Sequence, residues 1–111
     1  MDVFVALSDP TRRTILEMLA KNGRLSATQI YDNFDVSHPA ISQHLKVLRD
    51  ADLVAVEKKS QQRLYHINQK KIEDLDNWVR MLAKSWDERF DRLDKALEKE
   101  KLKFSTRSNK K

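Results

Sequence analysis

No cysteine occurs in the 111 residues. That excludes disulfides and thiolate metal sites, and it is the usage expected of a cytoplasmic chain. Glycine appears once and proline twice, so a helix-rich fold with few irregular loops is expected. No apolar run reaches the roughly 18 residues that a membrane-spanning helix needs. The N-terminus shows no basic segment followed by an apolar run and a small-residue cleavage site, so no secretion signal is expected. There is no Gly-rich phosphate loop, no cysteine nucleophile and no His-Glu-x-x-His motif, so neither catalysis nor a cofactor is expected.

Charge, by contrast, is plentiful. Lys and Arg total 22 against 17 Asp and Glu, a net charge of +5. Basic chains often meet nucleic acid, but here the excess is uneven. Residues 1–69 and residues 70–103 each carry +1, and residues 104–111 carry +3. Most of the excess is therefore a tail, and any case for DNA must come from local pattern.

The local pattern reads as a series of short helices. Residues 2–8 (DVFVALS) are apolar enough for a first one. Asp9-Pro10 restarts the chain, with Asp as N-cap and Pro at a position that needs no N–H. TRRTILEMLAKN then follows, and Gly23 is the natural stop. Ser26-Ala-Thr-Gln29 fits a capping box and predicts a helix over 27–34. Asp35-Val36 makes a tight connection, Ser37 caps the next helix, and Pro39 is tolerated in its first turn. On that helix Ile41, Leu45 and Leu48 share one side, while Pro39, Gln43, Lys46 and Asp50 point away and Ser42 lies at the edge. His44 sits beside Ile41 and Leu48, as a packed structural histidine would.

The period changes after Leu53. LVAVEK and RLYHIN are β-rich runs around Lys59-Ser60-Gln61, consistent with an antiparallel hairpin, although no Asn-Gly or Gly turn signal is present. From Gln69 to Lys103 the chain reads as one helix, too long to be covered by the small domain before it. The expected fold is mainly α with a small β-hairpin: a winged helix-turn-helix over 1–68, a C-terminal dimerisation helix over 69–103, and a disordered basic tail over 104–111.

A helix fits the major groove of B-DNA, and side chains toward its N-terminal half reach base edges. Ser42 can donate or accept, Gln43 can bond adenine bidentately, and Lys46 can meet guanine or a phosphate. His38 can reach a phosphate. Lys58, Lys59 and Arg63 place positive charge on the wing for backbone or minor-groove contact.

LSDPTRRTILEMLA, VSHPAISQHLKVLRDADLV and VAVEKKSQQRLYHI together resemble the ArsR-type winged helix-turn-helix repressors of bacteria and archaea, over about residues 4–68. The resemblance implies a homodimer that binds double-stranded DNA at a palindromic operator, with Ser37, His38, Ala40, Ser42, Gln43 and Lys46 along the recognition helix. The tail segment WVRMLAKSWDERFDRLD is also similar to that of a subgroup often encoded beside a START-like ligand-binding protein. Many metal-sensing members hold metal through cysteines in the helix before the recognition helix, and others through Asp and His on the dimer helix. This chain has no cysteine and no histidine after His66, so no metal site is expected.

A helical stripe, Ile72, Leu75, Val79, Leu82, Trp86, Phe90, Leu93 and Leu97, calls for a partner surface. The expected dimer interface is Val3, Phe4, Leu7, Trp78, Val79, Leu82, Trp86, Phe90 and Leu93. Two alternatives stand beside a dimeric repressor. One is a metal-responsive repressor with a non-thiolate site. The other is a winged-helix protein-interaction module that does not bind DNA. The sequence names no inducer.

Overall fold

The computed structural model describes the backbone of residues 1–109 and side chains through residue 100. It contains α1 (Val3–Leu7), α2 (Pro10–Asn22), β1 (Arg24–Ser26), α3 (Ala27–Tyr31), α4 (His38–Asp50), β2 (Val54–Lys59), β3 (Gln62–Ile67) and α5 (Gln69–Asn109). The chain divides into a unit over Met1–Glu73 and a second over Asp74–Lys111.

The caps of the first unit are those the sequence calls for. Asp9 accepts from the Arg12 N–H at 3.0 Å and Pro10 begins α2. Gly23 ends that helix at φ 83 and ψ −72, the geometry of a strained γ-turn that side chains resist. Ser26 and Gln29 form a reciprocal capping box at the start of α3. Helix α3 stops at Tyr31, three residues before the expected end. There Asn33 and Phe34 bond back to Ile30 and Tyr31, tightening the chain into i→i+3 turns. Ser37 caps α4 through the Ala40 N–H at 3.3 Å.

Helix α4 ends without glycine. Asp52 takes φ 60, and the Leu53 and Asp52 N–H groups bond to the Leu48 and Arg49 carbonyls. That is the Schellman pattern, and its accompanying apolar pair, Leu48 and Leu53, is fully buried.

The β-structure is larger than a hairpin. β3 is central, with β2 and β1 antiparallel on either side. β1 was not anticipated, because three residues with one apolar member give no readable period. The β2–β3 turn is the pair Ser60-Gln61, with Ser60 at φ 58. A positive φ at the first turn residue suits the strand twist even without glycine.

The core joins Ile15 and Leu19 of α2, Ile30 of α3, and Ile41, Leu45 and Leu48 of α4 to Leu53, Val54 and Tyr65 at the sheet. This anchors α4 by one face only.

In the second unit, α5 presents an apolar row. Trp78, Val79, Leu82, Trp86, Phe90, Leu93 and Leu97 are all exposed. Trp86 and Phe90 meet edge to face at 5.6 Å, and Arg80 pairs with Asp76 at 2.9 Å one turn away. The helical backbone runs through Asn109, past Lys103, where the sequence places the start of a basic tail. FSTRSN contains neither Gly nor Pro to stop it, and the last two residues of that tail lie outside the described residues.

Candidate nucleic-acid interface

Burial divides α4 into two faces. Ile41, Leu45 and Leu48 are fully buried, whereas Ser42, Gln43, Lys46 and Arg49 are exposed. Ser42, Lys46 and Arg49 follow an i, i+4, i+7 spacing, so they form one row along the helix. Ala40 is half-buried between the faces.

The start of α4 is braced rather than loose. The His38 ring stacks on Tyr31 of α3, with centroids 4.4 Å apart and planes at 16°. Ser37 spends its hydroxyl on the cap. Both lie at the helix entrance, where free N–H groups favour an anion.

His44 is a structural residue. Arg12 donates to its Nδ1 at 3.1 Å, and the same guanidinium donates to the Ala6 carbonyl at 2.7 Å and the Val5 carbonyl at 3.1 Å. One arginine therefore links α1, α2 and α4. Asp9 also lies 3.7 Å from His44 Nδ1. A guanidinium can only donate, so the shorter Arg12 contact takes the Nδ1 lone pair and leaves Asp9 an electrostatic neighbour. The Asp9 carboxyl is held below its ordinary 3.8 chiefly by the Arg12 backbone N–H, against an opposing effect of burial and with a lesser contribution from the Arg12 guanidinium.

The wing carries Lys58, Lys59 and Arg63, all exposed. Register separates them. Lys58 lies opposite Arg63, and Val56 opposite Tyr65, so Lys58, Arg63 and Tyr65 share one face. Lys59, opposite Gln62, belongs to the other face. That second face also holds Arg24 and Glu57, paired at 3.1 Å.

The first face of the wing meets α4 at a cleft. Pro39, Ser42, Gln43, Lys46, Arg49, Arg63 and Tyr65 line it. The structure thus brings together Ser42, Gln43, Lys46 and Arg63 of the sequence-predicted set. Lys58 and Lys59 are not among the cleft residues. Arg49 and Tyr65 were missed. Arg49 was legible from its helical spacing, whereas Tyr65 depends on the sheet register.

Among the described residues no three His, Cys, Asp or Glu side chains converge as a metal would need, and no helix is long and apolar enough to cross a membrane.

Known proteins share this arrangement. Residues 7–57 match the model of a helix-turn-helix domain. The chain is 41% identical over 78 residues to the transcriptional repressor SdpR of Bacillus subtilis (strain 168), covering 70% of this chain and 86% of that protein. It is 36% identical over 66 residues to the arsenical resistance operon repressor of Staphylococcus xylosus, covering 60% of this chain and 62% of that protein. Among solved structures, an ArsR-like transcriptional regulator from Rhodococcus sp. RHA1 superposes with a TM-score of 0.78 at 29% identity, over 86% of this chain and 87% of that one. With a sequence relative matched over most of its length and a capped, one-face-buried α4 leading into a wing, the chain belongs to the ArsR family of winged helix-turn-helix, DNA-binding transcriptional regulators.

Proposed function

We propose that the chain acts as a homodimeric repressor on a palindromic operator, with α4 in the major groove and the wing against the flanking backbone. The observation that carries this reading is the contrast along α4. Three aliphatic side chains are fully buried, and the hydrogen-bonding groups of Ser42 and Gln43 stand exposed opposite them. A helix held rigidly from behind can read bases with its free face. Ser37 and His38 at the helix entrance, with Lys58 and Lys59 on the wing, contact phosphate, and half-buried Ala40 lets the backbone approach. Repression follows if the bound dimer covers the promoter.

Dimerisation is supported by the apolar row of α5. Trp86 is 61% exposed and Leu97 56% exposed in the single chain, and a continuous strip of this kind marks a protein contact. In α1, Val3 is already buried in its own fold, while Phe4 retains half its surface and Leu7 some of it. The α1 share of the interface therefore falls to Phe4 and Leu7. A DNA target puts the protein in the compartment of the chromosome, the cytoplasm for bacterial and archaeal relatives.

The deciding experiment is Gln43→Ala, compared on the promoter upstream of its own gene and on random duplex. A bidentate base contact predicts a loss of about 1–3 kcal/mol on the promoter alone. Equal loss on both duplexes removes Gln43 from base reading. A wild-type chain that binds neither duplex leaves the protein-interaction module as the better account.

A further inference from the structure

We propose that Lys46, Arg49, Arg63 and Tyr65 form a seat for a DNA backbone phosphate in the cleft between α4 and β3, so that Lys46 serves position and affinity rather than base reading. The inference rests on the DNA-binding reading and adds to it a place and two residues, Arg49 and Tyr65.

The argument begins with how other cations of the same unit are satisfied. Arg12 donates to two carbonyls and His44. Arg13 donates to the Leu7 carbonyl at 2.8 Å. Arg24 holds Glu57. Lys21 lines a groove between α2 and α3 that also contains Glu17 and Asp32. The α4–β3 cleft differs. Three cations line it and no carboxylate does. Among the described residues, the side chains of Lys46, Arg49 and Arg63 form no hydrogen bond or ion pair, although Asp50 lies one turn from Lys46. Like charges gathered without a counter-charge repel, and an anion in the cleft relieves them.

Tyr65 supplies a neutral donor. The residue as a whole is only 6% exposed. Its hydroxyl has no partner among the described residues, yet no buried side-chain polar atom lacks one. The hydroxyl therefore reaches solvent, and Tyr65 is one of the residues that line the cleft. Guanidinium forks and a phenolic hydroxyl are suited to a phosphodiester oxygen. The position is also right. Base contacts come from the N-terminal half of a recognition helix; the cleft runs from Pro39 to Arg49 along α4, and the seat takes its C-terminal end, where Lys46 and Arg49 line it together with Arg63 of the wing. Lys58, opposite Arg63 on the same face, extends the positive track toward the wing tip.

The test measures affinity for a random-sequence duplex between about 50 and 200 mM KCl, where each phosphate contact contributes about 0.9 to the salt slope. Arg49→Gln and Arg63→Gln, from opposite walls, should each reduce the salt-induced weakening over that range, by at most about 3.5-fold for each subunit engaged, which is the loss of one phosphate contact. Arg49→Lys should keep the slope, and Lys21→Gln should behave as wild type. A wild-type slope in Arg49→Gln overturns the seat and leaves DNA binding standing, as does a change in melting temperature alone, which would make Arg49 a partner of the helix dipole. Equal effects of Arg49→Gln and Lys21→Gln overturn it in favour of bulk charge. Loss confined to promoter DNA overturns it in favour of base reading. A wild-type chain that binds no duplex overturns the parent reading and the seat together.

Discussion

Asp9 illustrates how much one side chain can do in this fold. Its carboxylate caps α2 and faces the Arg12–His44 bridge that fastens the recognition helix. Because its native pKa is below the unfolded value of 3.8, its contribution is present above that value and lost as pH falls through the lowered native value. Asp9→Ala should therefore cost about 0.5–2 kcal/mol near neutral pH, the usual range for an N-cap. Urea unfolding of both proteins should show the gap closing below pH 3.8; a gap unchanged in acid would mean that the cap works without its charge. The sequence Asp-Pro announced this cap. It did not announce the bridge, because Arg12 and His44 are 32 positions apart and only the packing of α2 on α4 brings them together.

Where a helix carries its own stop and start signals, its limits were readable. Ser37 and Pro39 set the beginning of α4, and Gly23 the end of α2. Where signals are replaced by tertiary pairing, they were not. Arg24–Ser26 is a strand only because β3 lies beside it, and α4 terminates at an aspartate in a conformation usually left to glycine. The apolar row of α5 was legible from spacing, and its period is informative. Val79, Trp86 and Leu93 keep a heptad spacing, and the four-residue steps on both sides of Trp86 shift it as a stutter does, which locally unwinds a left-handed coil. Trp86 stands at the centre of this series with Phe90 against it. Trp86→Glu should abolish the dimer, since pairing would bury an unpartnered charge. Sedimentation of this variant as a dimer would remove Trp86 from the seam.

The proposed pairing through α5 would give the molecule a property that neither half of the chain has alone. One recognition helix reads only a few base pairs, and the groups proposed to read them, the exposed Ser42 and Gln43, offer few discriminating bonds. A second copy doubles the contacts and adds a distance requirement. A two-fold dimer needs its half-sites about 34 Å apart, one helical turn of DNA, on the same side of the duplex. Inserting about five base pairs at the operator centre moves one half-site by roughly 17 Å and turns it to the opposite face. Operator affinity should then fall to that of random duplex, while each half-site keeps its sequence. Insertion of about ten base pairs restores the face but not the distance, so a dimer that tolerates it must flex between its two reading heads. The same insertions in the Trp86→Glu background should have no effect, because a monomer has no second half-site to lose. If five added base pairs leave wild-type affinity intact, the chain reads DNA one helix at a time, and the apolar row of α5 must serve a different contact.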